Sequence, residues 1–364
     1  GLRQAAAAAG VGPTVLAQAF DGAEPLERVL EASRAQPEFV TPIWDYLAFL
    51  VDEERVHDGR EMLARHADLL ERIERTYGVD RHVVVAVWGV ESDYGRIAGS
   101  NFLPHALATL TCLAGRRTDF WRGELIAALR LVERGDLEMG ALYGSWAGAF
   151  GQTQFIPSTY ERLAVDFDGD GRRDLVNSVP DALASTANYL QRAGWRSGES
   201  WLFEVRVPPG YAGPTGRGEK APLSTWAQRG VTRADGAPLS GQGQAGLLLP
   251  AGAQGPGFLV FRNFDAIYSY NHAESYALAI SHLADRIAGY PALRTPWPTD
   301  DPGLSRAERR RLQERLNAAG YDVGEVDGRI GPRSRAAIAA AERDRGLPET
   351  GRAGRRIYEA LGGG

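Results

Sequence analysis

The spacing of apolar residues divides the chain into helical and strand-like stretches before any chemistry is considered. Between 59 and 77, Met62, Leu63, His66, Leu69, Leu70, Ile73 and Tyr77 recur at helical intervals, which predicts one amphipathic helix. Gly78 is placed to end it and Asp80 to cap the next. That next helix covers an almost unbroken apolar run, Val83 to Val90, and should be buried nearly all round. Further helices are predicted over 119–134 and 181–193, the second opened by Pro180-Asp181. After Trp201 the period changes. Leu202-Phe203-Glu204-Val205-Arg206-Val207 alternates as a strand does, and short apolar runs follow at 246–249 and 258–261. Residues 201–268 therefore read as a small β-rich portion with a helix near 222–229. The chain should return to helix at about 272–287.

Residues 291–303 are rich in proline and read as a stiff linker. They divide one large domain, 1–290, from a small one, 304–364. The fold class expected is α+β, mainly helical. No tandem repeat of solenoid type is present.

Composition narrows the picture only modestly. At 364 residues the chain is long enough for two or three domains. A net charge of −5 argues against an electrostatic nucleic-acid binder, although the final domain is net positive. Lys220 is the only lysine. The six histidines lack zinc-binding spacing. The single cysteine, Cys112, rules out an internal disulfide, and its apolar neighbours Leu110 and Leu113 suggest a buried structural thiol. No apolar stretch reaches the ~18 residues of a membrane span, and no signal-peptide pattern is visible within the chain.

Four segments carry candidate chemistry. Glu91 lies at the end of the apolar run, in Trp88-Gly89-Val90-Glu91-Ser92-Asp93-Tyr94-Gly95. Such a helix would carry one carboxyl group from a dry interior to the edge of a cleft. Desolvation would then disfavour its charged form, as a general acid working near neutral pH requires. Taken alone, a glutamate after an apolar run is more often a solvent-facing helix end. The second segment, Gly144 to Tyr160, alternates Ser145, Gln152 and Gln154 with Trp146, Phe150 and Phe155 among small residues. Rings that stack on sugar faces and amides that bond hydroxyl and acetamido groups would suit a sugar site. Helix packing through the glycines explains the segment about equally well when it is taken alone. The third segment places Asp166, Asp168 and Asp170 at positions 1, 3 and 5 of an EF-hand-like loop, with Gly171 at position 6. Asn177 stands where position 12 usually carries Glu, so Asp181 is the expected closing carboxylate of a lengthened loop. Asp166, Asp168, Asp170, Arg172 and Asp181 are the candidate metal-holding residues, for a structural Ca²⁺. The fourth segment, Asn263 to Ala277, is dense in tyrosine, with Asn271 and Ser275 as capping or hydrogen-bonding groups at the start of the last helix.

In order and spacing, these segments resemble the B family of membrane-bound lytic murein transglycosylases and its soluble relatives. Glu91-Ser92-Asp93-Tyr94-Gly95 stands at that family's Glu-Ser-x-Tyr-Gly signature. Gly148 to Ser158 stands at its Gly-Ala-x-Gly-x-x-Gln-Phe-x-Pro-Ser signature, with Phe150 in place of a frequent methionine. Arg34-Ala35-Gln36-Pro37-Glu38-Phe39 and the loop 166–181 also match. The last domain resembles the peptidoglycan-binding module 1 family through Leu312-Gln313-x-x-Leu316, Gly320-Tyr321, Val326 to Gly331, Ala337-Ile338 and Gly346-Leu347. Where that family has Phe-Gln, this chain has Ala341-Glu342, an expected loss of aromatic core volume that bears on how tightly the module binds.

The resemblance implies a lysozyme-like catalytic domain followed by a three-helix peptidoglycan-binding domain. It implies cleavage of the β-1,4 bond between N-acetylmuramic acid and N-acetylglucosamine, with a 1,6-anhydro ring in the product. It also implies peptidoglycan strands as partner, no cofactor for catalysis and a periplasmic location. Glu91 would act as acid and then base, while Ser145, Gln154, Tyr189, Tyr270, Asn271 and Tyr276 line the cleft. A hydrolytic muramidase is the first alternative, but it requires a second carboxylate, and near Glu91 only Asp93 is available. A non-catalytic wall-binding protein is the other, and the presence of Glu91 counts against it.

Overall fold

The computed structural model describes residues 1–34 and 41–362. Beyond Arg34, the match at 34–39 lies outside the described residues. The fold is mainly helical, with a two-stranded and a five-stranded antiparallel sheet. Two compact units are formed, Gly1–Val40 with Glu61–Gly198, and Thr41–Arg60 with Glu199–Gly364.

The first unit is built around the helix Arg81–Ser92, in which every residue from Val83 to Gly89 is buried. Asp80 caps it by accepting the His82 N–H at 2.8 Å. Gly78 closes the preceding helix at φ +68°, a left-handed conformation that costs glycine little. The single helix expected over 59–77 is in fact two, Glu53–Arg65 and Ala67–Tyr77, which meet at His66. The His66 N–H still donates to the Met62 carbonyl at 3.0 Å. The apolar stripe therefore runs through the break, and periodicity could not register it. Helices Thr118–Glu133 and Val179–Arg192 form close to the expected positions. Cys112 is exposed rather than buried. It sits in the last turn of the helix Leu103–Leu113, beyond the last buried residue, Thr111.

In the second unit the five strands lie in the order Ala221–Pro222, Gln244–Leu248, Gly257–Val260, Leu202–Arg206, Thr232–Arg233. They enclose a core around Trp226, whose indole N–H donates to the Ala245 carbonyl at 2.8 Å. The β-rich portion ends earlier than expected, because Arg262–Asn271 is a helix of its own, followed by Glu274–Ile287. Asn271 is the last residue of the first helix and does not cap the second, whose N-cap is Ala273. His272, at φ +50°, makes the break between them. Only Phe264, Ala266 and Ile267 mark the apolar side of the first helix, too few for a helical period to stand out among the tyrosines.

The C-terminal helices Arg306–Ala318, Pro332–Asp344 and Arg355–Ala360 close over Leu304, Leu312, Leu316, Ile338, Ile357 and Tyr358. Ala341 is fully buried in that core. Glu342 has another use, since its carboxylate accepts the N–H groups of Thr350 at 2.6 Å and Gly351 at 2.8 Å. These helices are fastened to residues 41–60 of the same unit by buried ion pairs. Asp52 accepts from the backbone N–H and the guanidinium of Arg306 at 2.9 and 3.0 Å, and from the Arg55 N–H at 2.8 Å. Arg352 reaches Asp45 and Asp301 at 2.5 Å each. Residues 291–303 pack against the unit as well: Glu204 accepts the Arg294 N–H at 2.9 Å, and Trp297 lies 6.5 Å from Trp44.

Removing one member of a buried pair leaves the other charge uncompensated. Asp52→Ala is expected to destabilise the protein by about 3–5 kcal/mol, read as a lower urea midpoint for the transition that includes the second unit. An unchanged midpoint would mean that Arg306 finds solvent or another partner.

Candidate functional site

Glu91 occupies the last turn of the helix Arg81–Ser92 and is half-buried. The chain then leaves the helix through three consecutive left-handed residues, Asp93 at φ +52°, Tyr94 at +60° and Gly95 at +85°. For non-glycine residues this conformation costs of order 1–3 kcal/mol each and persists only where the surroundings impose it. Here Ser92, fully enclosed, donates its hydroxyl to the Gln152 carbonyl at 2.5 Å and accepts the Gly95 N–H at 2.9 Å. The Tyr94 ring folds back beneath the helix, edge-on to Trp88 at 5.8 Å. It lies so close to Gly89 that a Cβ there would sit 2.6 Å from the ring. Asp93 is ion-paired with Arg96 at 3.4 Å.

The segment from Gly144 to Phe155 is a pair of tight turns. Ser145 N–H donates to the Ala149 carbonyl at 2.7 Å, and the Ser145 hydroxyl oxygen accepts the Ala149 N–H at 3.0 Å. Phe150 is fully buried and stacks on Tyr160, with centroids 5.4 Å apart and planes 3° from parallel. A flat ring suits that slot. Gly151 has φ +76°, and a Cβ on it would meet the Leu175 carbonyl at 2.7 Å. Gln154, also left-handed, donates its amide nitrogen to the carbonyls of Ala98 at 3.1 Å and Gly151 at 2.9 Å. It thereby clasps this segment to the loop that follows Glu91. Tyr189, on the helix Val179–Arg192, faces Phe155 at 5.9 Å. Glu124 was not singled out from the sequence. It is buried, and it caps the helix Pro157–Leu163 by accepting the Ser158 N–H at 2.9 Å and hydroxyl at 2.6 Å. Within the second unit, Tyr270 and Tyr276 stack at 6.3 Å with planes 16° apart, Tyr276 being buried and Asn271 exposed.

The acidic loop brings oxygens of Asp166, Asp168 and Asp181 within 4.8 Å of one another. Asp181 is fully buried. Desolvation raises its pKa, with the Asp168 charge adding to the rise and N–H groups from Phe167 and Asp174 partly opposing it. Those two donors lie at 2.7 and 2.8 Å. Asp166 accepts the N–H groups of Gly169 at 2.7 Å and Gly171 at 2.9 Å. The Asp170 carboxylate accepts the Arg172 N–H at 2.8 Å and stands outside this group of three. Three carboxylates so close repel one another, and a set of hard oxygens is the donor chemistry that suits Ca²⁺.

The family profile described as Transglycosylase SLT domain matches residues 1–285, and a peptidoglycan binding domain profile matches 305–361. Membrane-bound lytic murein transglycosylase B of Escherichia coli is 34% identical over 257 residues, spanning 70% of this chain and 67% of that protein. SltB3 of Pseudomonas aeruginosa, solved in complex with NAG-anhNAM-pentapeptide, is 45% identical; the match covers 99% of this chain and 97% of that one, with a TM-score of 0.79. The Escherichia coli lytic transglycosylase Slt35, solved in complex with calcium, is 33% identical over 73% of this chain and 84% of its own, with a TM-score of 0.65. The chain therefore belongs to the lytic murein transglycosylase B family and carries a C-terminal peptidoglycan-binding domain.

Proposed function

We propose that this protein is a peptidoglycan lytic transglycosylase whose single acid–base group is Glu91. The observation that carries the reading is the placement of Glu91 at the end of a buried helix, just before a strained turn, with its nearest sequence carboxylate, Asp93, paired to Arg96. Glu91 in its acid form protonates the glycosidic oxygen between N-acetylmuramic acid and N-acetylglucosamine as the C1–O4 bond breaks. The muramyl acetamide stabilises or attacks the electron-poor C1. Glu91, now a carboxylate, takes the C6 hydroxyl proton, and O6 closes on C1, displacing the acetamide oxygen where it has bonded there, to give the 1,6-anhydro product. No water is consumed and no second carboxylate is required. We assign Ser145, Gln154, Tyr189, Tyr270, Asn271 and Tyr276 to glycan binding, with the Tyr189 and Tyr270 rings against sugar faces, the buried Tyr276 ring behind Tyr270, and hydroxyl or amide groups on the polar edges. The C-terminal helices supply a second attachment to the wall, and the substrate implies work in the periplasm.

Asp166, Asp168 and Asp181 would hold a structural Ca²⁺, with Asp170 and Arg172 on the same loop. Bound there, the cation would neutralise the mutual repulsion of the carboxylates. Nothing in the proposed chemistry passes through it.

Two measurements test these readings. Peptidoglycan sacculi digested with wild type should release muropeptides lighter by one water than their hydrolysed counterparts. Glu91→Gln should lose this activity by at least ~10²–10⁴-fold, since proton transfer by a positioned group contributes about that much, while folding and glycan binding stay intact. Hydrated reducing ends would indicate a muramidase, and retained activity in the variant would remove Glu91 from its role. For the loop, the raised pKa of Asp181 sets the sign of the pH dependence. The carboxyl favours the fold while protonated, so the calcium-free protein loses stability as pH rises through that raised value. Ca²⁺ should offset the loss at neutral pH by about 2.7 kcal/mol at a hundredfold excess over Kd, read as a higher Tm, and Asp181→Ala should abolish the gain. Equal Tm values in calcium and in chelator would refute the metal assignment.

A further inference from the structure

We infer that Gln152 is a positioning residue for Glu91, acting through the left-handed turn that follows it. The inference rests on the reading of Glu91 as acid and base. Gln152 is only 8% exposed, and its groups reach two separate stretches of chain. Its N–H donates to the Leu175 carbonyl at 2.9 Å. Its side-chain nitrogen donates to the Val176 carbonyl at 3.2 Å. Its own carbonyl accepts the Ser92 hydroxyl at 2.5 Å. The remaining polar atom, Oε1, lies against Gly95, where an added Cβ would come within 2.9 Å of it.

The side chain is thus wedged between the turn after Glu91 and the segment 174–176. That segment is itself fixed from behind. The Asp174 N–H donates to Asp181 at 2.8 Å, and the Asp174 carboxylate accepts the Val176 N–H at 2.9 Å. Gln152 therefore joins the acidic loop to the turn. Asp93, Tyr94 and Gly95 occupy conformations that relax unless held, and Ser92, the hub that holds them, takes its hydroxyl acceptor from Gln152. Ser92 also accepts the Ile97 N–H through its carbonyl at 2.9 Å. Glu91 is the next residue back along the helix. Loosening the wedge lets the turn unwind and swings the Glu91 carboxyl away from the glycosidic oxygen. An ångström of misplacement is enough to lose much of the rate.

Gln152→Met keeps the length and apolar bulk of the side chain and deletes both amide contacts. With sacculi as substrate, kcat should fall by about tenfold or more, with KM unchanged. The pH–rate profile should move as the surroundings of Glu91 change, and the amides of Gly95 and Ile97 should exchange hydrogen faster. Ser92→Ala removes the hydroxyl that the Gln152 backbone carbonyl accepts, a different contact to the same turn, so it serves if Gln152→Met folds poorly. A lowered Tm with kcat, pH profile and exchange all unchanged would reduce Gln152 to a packing residue and overturn the inference. Glu91→Gln assayed alongside separates the two levels. Activity in that variant would refute the reading of Glu91, whereas an inactive Glu91→Gln beside a fully active Gln152→Met would refute only the positioning role.

Discussion

A carboxyl group at the end of a helix buried on every side can reach a cleft only if the chain leaves that helix abruptly. Otherwise the next turn would continue the helix and cover the group. Here the exit takes three left-handed residues, two of them not glycine. Much of the first unit serves to hold that exit. Gly89 lacks a side chain because the Tyr94 ring occupies the space. Ser92 is enclosed because its hydroxyl must accept from the turn and donate to the neighbouring segment at once. Gln154 adopts a left-handed conformation of its own while it grips the loop beyond the turn through Ala98. Strain of this kind gathers where geometry is needed for chemistry, and three of the five non-glycine residues at positive φ in the described chain lie at Glu91 or in the segment clasped to it.

The same constraint explains why the acidic loop lies so near the candidate acid in the hydrogen-bond pattern. A turn that must be held needs something rigid behind it. Asp181 is rooted in the first turn of the helix Val179–Arg192 and accepts N–H groups from both limbs of the loop. That arrangement leaves Asp181 buried beside Asp166 and Asp168, unfavourable for three negative charges and suited to a divalent ion. A cation at this point would act on catalysis only through structure, by keeping 174–176 in place beneath Gln152.

What could be read from the sequence and what could not divide along a physical line. Glu91, the cap at Asp80 and the acidic loop depend on residues close in sequence, and each leaves a local pattern, whereas the three C-terminal helices follow from the resemblance of 304–364 to a known module. The Ser92–Gln152 bond spans 60 positions and the Glu124–Ser158 contact 34. Neither residue type announces such a partner. The break at His66 is invisible because the apolar stripe passes through it. The helix Arg262–Asn271 is hidden because its buried side is short. Cys112 sits in an apolar stretch, yet it projects from a turn whose core-facing residues have already ended. At 341–342 the expectation concerned aromatic volume; Ala341 is buried in the core, and Glu342 closes the Thr350–Gly351 turn, a role no local pattern shows.

The arginine-rich composition, without functional meaning at the level of counts, acquires one in the second unit. Arg352 meets both oxygens of Asp45 with two of its nitrogens, at 2.5 and 3.0 Å, and gives the third to Asp301 at 2.5 Å. Arg306 engages Asp52 through two side-chain nitrogens as well as its backbone N–H, and the Arg309 guanidinium lies 4.6 Å from the Phe49 ring centroid. A planar fork can satisfy two acceptors or stack on a ring while leaving water, whereas a lysine ammonium offers a single compact charge that is more strongly hydrated. Within this unit, then, the C-terminal helices are held by directional, desolvated contacts and not by the proline-rich segment alone. A wall-binding module fastened in this way is held against the helix Ile43–Leu50, which packs in turn on Glu274–Ile287 of the same unit.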